Sequence, residues 1–152
     1  MKCAAILPVV LTAFLAAGCV PAMELPGSFI EVSEADRGMY DLRAVSADGA
    51  VLAVRRQDNP QKGTLEFWTE AVKNELTTGP GYKLLKTEPV TSTSGVPGQL
   101  LTFAAEKRGV DYTYLVGLYV GSRGILVAEA GGKAEAVKAR LDEIKKAMLT
   151  VR

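Results

Sequence analysis

Residues Val110 to Val120 carry bulky side chains at both alternating sets of positions, with Tyr112, Tyr114, Val116 and Leu118 in one set and Leu115 and Tyr119 in the other. In an extended strand the two sets point to opposite faces. A chain holding this segment must therefore dehydrate a sheet on both sides. The flanking turns fix how the strand is joined. Lys107-Arg108-Gly109 precedes it, after an apolar run from Gln99 to Glu106, and Gly121-Ser122-Arg123-Gly124 leads from it into Ile125 to Ala130. Short glycine-containing turns between such runs predict three antiparallel strands in succession.

Cover for that sheet comes from two segments with helical spacing. Leu65, Trp68, Val72 and Leu76 recur every three or four residues with Ala71 in the same stripe, Thr64 is placed to cap the start, and Gly79-Pro80-Gly81 ends the run. Trp68 lies on the apolar stripe and reads as a core anchor. After Gly131-Gly132, Ala134, Val137, Leu141, Ile144 and Met148 keep the same spacing and predict one second helix. Upstream, Phe29 to Val32 reads as a short edge strand and Ser33 to Gly38 as a polar turn or a single helical turn capped by Ser33. Met39 to Val45 and Ala50 to Arg56 form a hairpin through Asp48-Gly49. Tyr82 to Thr91 reads as a further strand and Ser92 to Gly98 as a turn-rich loop. The order predicts an α+β fold, an antiparallel sheet covered by helices on both faces as a three-layer α/β/α sandwich.

The amino terminus carries an address. Met1 and Lys2 precede an uncharged apolar stretch from near Ile6 that closes on Leu15-Ala16-Ala17-Gly18-Cys19. About a dozen apolar residues fall short of the roughly 20 needed to span a bilayer, so the segment reads as a signal peptide. Small residues before a cysteine read as a lipoprotein processing site, cleaved between Gly18 and Cys19, with the Cys19 thiol taking a diacylglycerol. Ala16 stands where such sites most often carry leucine. The alternative is an ordinary secretory cut after Ala22, since Val20-Pro21-Ala22 also suits the pocket positions. Cys3 leaves with the signal, so the mature chain has no second thiol for a disulfide. Acyl chains such as palmitate, each buried methylene contributing about 0.8 kcal/mol, would hold the protein on a membrane. Val20, rather than aspartate, follows the cysteine, which favours the outer membrane facing the periplasm in a host with two membranes. Residues 1–18 are thus expected to be signal and 28–152 a single domain. Residues 19–27 are expected to be a lipidated tether, with Pro21 and Pro26 excluding a helix and the eight residues from Val20 to Gly27 reaching roughly 26 Å.

From about Phe29 to Arg152 the chain resembles the PsbP-like fold, shared by photosystem-associated extrinsic proteins, a Ran-binding nuclear transport factor and bacterial DcrB-type lipoproteins. The resemblance rests on the helix Leu65 to Leu76, the loop Val96-Pro97-Gly98 into Leu100 to Ala105, the strand Tyr112 to Val120, the turn through Gly124, and Val127-Ala128-Glu129-Ala130-Gly131 before the last helix. It implies a three-layer sandwich that binds or assists other proteins. It carries over no functional residue.

Composition narrows the chemistry. Of 152 residues, removing the first 18 leaves 134 and takes away Lys2, so 17 basic side chains face 17 acidic ones. A neutral chain has no basic excess to release counterions from nucleic acid. Without histidine or a free thiol the usual soft ligands for zinc, copper or iron are missing, and neither a metal nor a cofactor is expected. Glu66 and Glu70 stand four apart on one helix, which reads as a solvated face with Lys73 nearby. Ser92, Ser94 and Ser122 have no histidine to take a proton. Gly131-Gly132 before a helix reads as a tight turn rather than a phosphate site. Tyr112 and Tyr114 share a face and read as packing beneath a helix, with an aromatic binding patch as the alternative. The expected role is a lipid-anchored, non-catalytic accessory protein of the cell envelope with a protein partner. The alternative is a hydrolase or transferase using carboxylates or a serine of the Ser92 to Gly98 loop.

Overall fold

The computed structural model describes residues 21–152. The expected attachment residue Cys19 and the cleavage site at Gly18 and Cys19 lie outside the described residues. Within them the chain forms β1 (Phe29–Glu31), β2 (Leu42–Ser46), β3 (Val51–Gln57), α1 (Leu65–Thr78), β4 (Lys83–Thr91), β5 (Pro97–Lys107), β6 (Val110–Gly121), β7 (Gly124–Lys133), α2 (Ala134–Ala139) and α3 (Leu141–Leu149). The seven strands make one antiparallel sheet in the order β1-β2-β3-β7-β6-β5-β4. The fold is α+β.

Local chemistry explains the boundaries. Arg108 and Gly109 both take positive φ, 55° and 76°, and close the β5–β6 hairpin with the twist its strands require. Gly49, at φ 87°, does the same between β2 and β3. Thr64 caps α1 by accepting from the Phe67 N–H at 3.2 Å. Both sheet edges resist further pairing: β1 has three residues, and β4 carries Lys83, Lys86, Glu88, Pro89 and a register shift between Leu84 and Lys86.

The two faces of β6 feed separate cores, as its alternation requires. Leu115 and Tyr119 join Leu52, Val54 and Ala128 under Val137, Ile144 and Met148 of α2 and α3. Val116 and Leu118 join Leu101, Phe103 and Val127 against Leu65, Trp68 and Val72 of α1. Trp68 keeps partial exposure, and its indole N–H donates to Asn59 Oδ1 at 3.2 Å. Helical cover is nonetheless staggered. α1 packs on β4, β5 and β6, whereas α2 packs on β6 and β7 and α3 on β7. A complete helical layer on each face is not what the described residues show, because β2 and β3 have no helix on the α1 side.

Three elements differ from the sequence expectation. The second helix is two, broken at Arg140 (φ −119°, ψ 12°). Arg140 there bonds Asp48 of the β2–β3 turn through Nε at 3.0 Å and pairs with Glu143 at 3.3 Å. A break at this point lets Val137 and Ile144 both reach a twisted sheet that a straight rod would leave. Gly131 and Gly132 are strand residues rather than a turn, paired with Tyr114 and Thr113 of β6. Residues 21–27, expected to be a tether, contain no helix or strand but are docked. Ala22 and Arg152 exchange backbone hydrogen bonds at 3.1 and 3.2 Å, and the Glu24 N–H donates to Thr150 Oγ1 at 2.8 Å. Met23 is buried beside Phe29, with Leu25 against the same core. Pro21 and Pro26 exclude a helix yet allow an extended strap, and burying Met23 contributes up to about 2 kcal/mol.

Gly98 of β5 shows how closely the α2–α3 side is filled. A Cβ there would lie 2.5 Å from the Leu118 carbonyl oxygen and 2.6 Å from the Tyr119 ring. That ring is buried with its hydroxyl donating to the Met148 carbonyl at 2.8 Å. Gly98→Ala should therefore lower stability by about 1–3 kcal/mol in urea denaturation with an unchanged m-value.

Candidate functional site

Where α1 stops covering its face, the sheet lies open. Past Leu76 the chain turns through Gly79 and Gly81 into Tyr82, whose ring meets Tyr114 edge-on at 5.8 Å between centroids. Beside this pair runs a groove of about 560 Å³ walled by Tyr82, Tyr112 and Tyr114, with Gly131 on its floor. Any side chain at Gly131 would crowd the floor, since a Cβ would come within 3.1 Å of the Tyr114 ring. A second hollow of about 250 Å³ shares Tyr114, Gly131 and Gly132 with the first and continues over β7 and β3 to Tyr40 and Arg43. The two form one surface.

Its polar centre is Glu129. The residue is 8% exposed, its Oε1 lies 3.6 Å from Arg55 Nη2, and its Oε2 is buried without a hydrogen-bond partner. Arg55 Nε is likewise unpartnered, while Nη1 donates to Gln57 Oε1 at 3.1 Å. Burial first, and then the neighbouring Glu129 carboxylate, pushes the Tyr40 phenol up to about 12. Tyr114 is raised as well, again mainly by burial with Glu129 adding to it. Both phenols stay neutral and able to donate across the physiological range. A carboxylate in the wall of the hollow, with two neutral phenols beside it and the rings of the tyrosine groove adjoining, suits hydrogen bonding and stacking against another molecule.

The residues singled out from sequence are dispersed. Tyr112 and Tyr114 do share a face and line the groove, half-buried, Tyr114 also packing on the α1-side core. Glu66 and Glu70 sit on an exposed helix face. Glu70 pairs with Lys73, and the backbone N–H of Glu66, with the Thr64 hydroxyl second, holds the Glu66 carboxyl below its ordinary range. Ser92 is buried, its hydroxyl 2.9 Å from that of Ser94 and accepting the Val96 N–H at 3.1 Å, so it shapes the turn. Ser122 lies on the exposed β6–β7 turn. Sequence reasoning missed Glu129, Arg55 and Tyr40. The signal for Glu129 was present: in the run Ile125 to Ala130 it is the one charge, and alternation places it with Ile125 and Val127 on the α1 face.

Comparison with known proteins gives the fold an address. No family model and no curated protein matches this chain in sequence. Among solved structures it is similar to LpqN, involved in cell envelope biogenesis of Mycobacterium tuberculosis, with a TM-score of 0.60 and 18% identity over 86% of this chain and 82% of that one. It is also similar to cyanobacterial PsbP (CyanoP) from Synechocystis sp. PCC 6803, with a TM-score of 0.59 and 10% identity over 93% and 98% of the two chains. A third, PA94 of Pseudomonas aeruginosa, a protein of unknown function, matches at 0.53 and 15% identity over 89% and 85%. The fold is PsbP-like.

Tyrosine burial has a measurable consequence. Tyr40 and Tyr119 are both raised to about 12 from 10.0, and Tyr114 moves the same way. A raised phenol means that the folded state holds its proton where the unfolded state has lost it, so this stability is complete below pH 10 and is lost as pH rises through about 12. The urea midpoint should fall steeply only above pH 10, and Glu129→Gln should let Tyr40 ionise at lower pH in an absorbance titration of tyrosinate.

Proposed function

We propose that this chain is a lipid-anchored protein of the cell envelope with a non-catalytic, accessory role, and that it engages a protein partner through the tyrosine groove around Glu129. The observation that carries the reading is the uncovered part of the α1 face, where the nearly buried Glu129, one carboxylate oxygen of which has no hydrogen-bond partner, stands in the wall of an aromatic groove. Unsatisfied buried polar atoms cost about 1–3 kcal/mol each, a cost that a bound segment can remove. The Leu15 to Cys19 processing motif supports the anchoring, and the similarity to LpqN, involved in cell envelope biogenesis, agrees with the location. Among the described residues no helix is long and apolar enough to cross a membrane. In a host with two membranes, Val20 after Cys19 favours the outer membrane, facing the periplasm.

A photo-crosslinking amino acid at Tyr112, compared in intact cells with one at exposed Lys138 on α2, tests the groove. A discrete adduct from position 112 and none from 138 is the expected result. Equal adduct patterns from the two sites would contradict it, as would steady turnover by the purified domain that a single substitution abolishes.

A further inference from the structure

A cleft at the opposite end of the strands carries a different chemistry. The β6–β7 turn, the β4–β5 turn and the residues after α3 enclose about 230 Å³ lined by Arg56, Arg123 and Arg152 with Ser94 and Ser122. Arg123 sits on the exposed turn, and Arg152, 61% exposed, forms a solvent-facing ion pair with Glu24 at 3.6 Å. The exposed Arg123 and Arg152 guanidiniums beside two hydroxyls suit the planar, multi-oxygen geometry of a phosphate.

The course of the amino terminus says which phosphates lie near. Ala22 is held by two backbone hydrogen bonds to Arg152, a wall residue of this cleft. Cys19 is three residues earlier, so its Cα lies within about 11 Å of that point even at full extension. An acylated Cys19 would keep Arg152, and the cleft it lines, close to the bilayer. We infer that the Arg56–Arg123–Arg152 cleft is the membrane-facing end of the domain and seats the headgroup phosphates of anionic lipids. This rests on acylation at Cys19, the anchoring read above. The acyl chains confine the domain to the surface, and the cleft sets its orientation there. Each basic side chain near an anionic surface adds about fivefold to the preference for it. The docked orientation points the strand ends Gly121 and Gly124 at the lipid and the tyrosine groove, at the Tyr112 and Gly131 ends of the same strands, away from it.

The test uses the mature protein purified from membranes. Intact mass first reports whether Cys19 carries its lipid. Amide hydrogen exchange is then compared on vesicles of phosphatidylcholine alone and with phosphatidylglycerol added. Exchange at residues 92–96 and 121–124 should slow roughly fivefold or more on the anionic vesicles. The slowing should vanish in Arg123→Glu/Arg152→Gln, whose thermal melt checks that the fold persists, and millimolar inorganic phosphate alone should not reproduce it. An acylated protein with equal exchange on both vesicles overturns the cleft assignment while leaving the anchor intact. Equal protection by free phosphate overturns the lipid as its source. An unacylated amino terminus overturns the anchor and this inference together.

Discussion

The fold depends on keeping water from both faces of β6 and β7 at once. Neither helical unit is large enough to do this for the whole sheet. α1 lies over β4 to β6 on one side and α2 with α3 over β6 and β7 on the other, so full two-sided cover is confined to the centre. Everything outside that zone must be protected by something smaller. On the α2–α3 side, β2 and β3 are closed by Met23, Leu25 and Phe29. On the α1 side the same strands have no such plug, and polar groups of Glu129, Arg55 and Arg43 take its place. The groove is thus a consequence of the packing, and its polar floor is what an antiparallel sheet exposes when a helix ends early.

The strap of residues 22–25 gives the same logic a second outcome. By pairing with Arg152 it would remove most of the length through which the proposed lipid on Cys19 could let the domain swing. Position and orientation then become coupled. A cleft of three arginines lies next to the strap and the tyrosine groove lies nine residues along β6, roughly 30 Å away at 3.3 Å per residue. One end of the strands suits a phosphate-rich surface and the other a partner bearing both donors and acceptors.

Sequence alone conveyed the strand meander, the β2–β3 hairpin and α1 with its Thr64 cap, because each is written in local periodicity and turn chemistry. The break at Arg140 was not legible, since Ala134 to Met148 keeps unbroken spacing and the partner Arg140 meets there, Asp48, is 92 residues away. The docking of Met23 was hidden for a similar reason: two prolines in eight residues look like a linker until Arg152 is brought alongside. Within the site, Tyr112 and Tyr114 were legible as a face. Glu129 became meaningful only when Tyr40 and Arg55, far from it in the chain, were brought to its side.

The central claim is that the uncovered α1-side groove is the working surface of this protein. Hydroxyl-radical footprinting measures it most directly, comparing tyrosine oxidation in intact cells with that of the purified protein. Occlusion by a partner predicts lower oxidation in cells at Tyr40, Tyr82 and Tyr112 than in the isolated domain, with buried Tyr119 low in both. Equal oxidation of the three groove tyrosines in both settings would contradict the account.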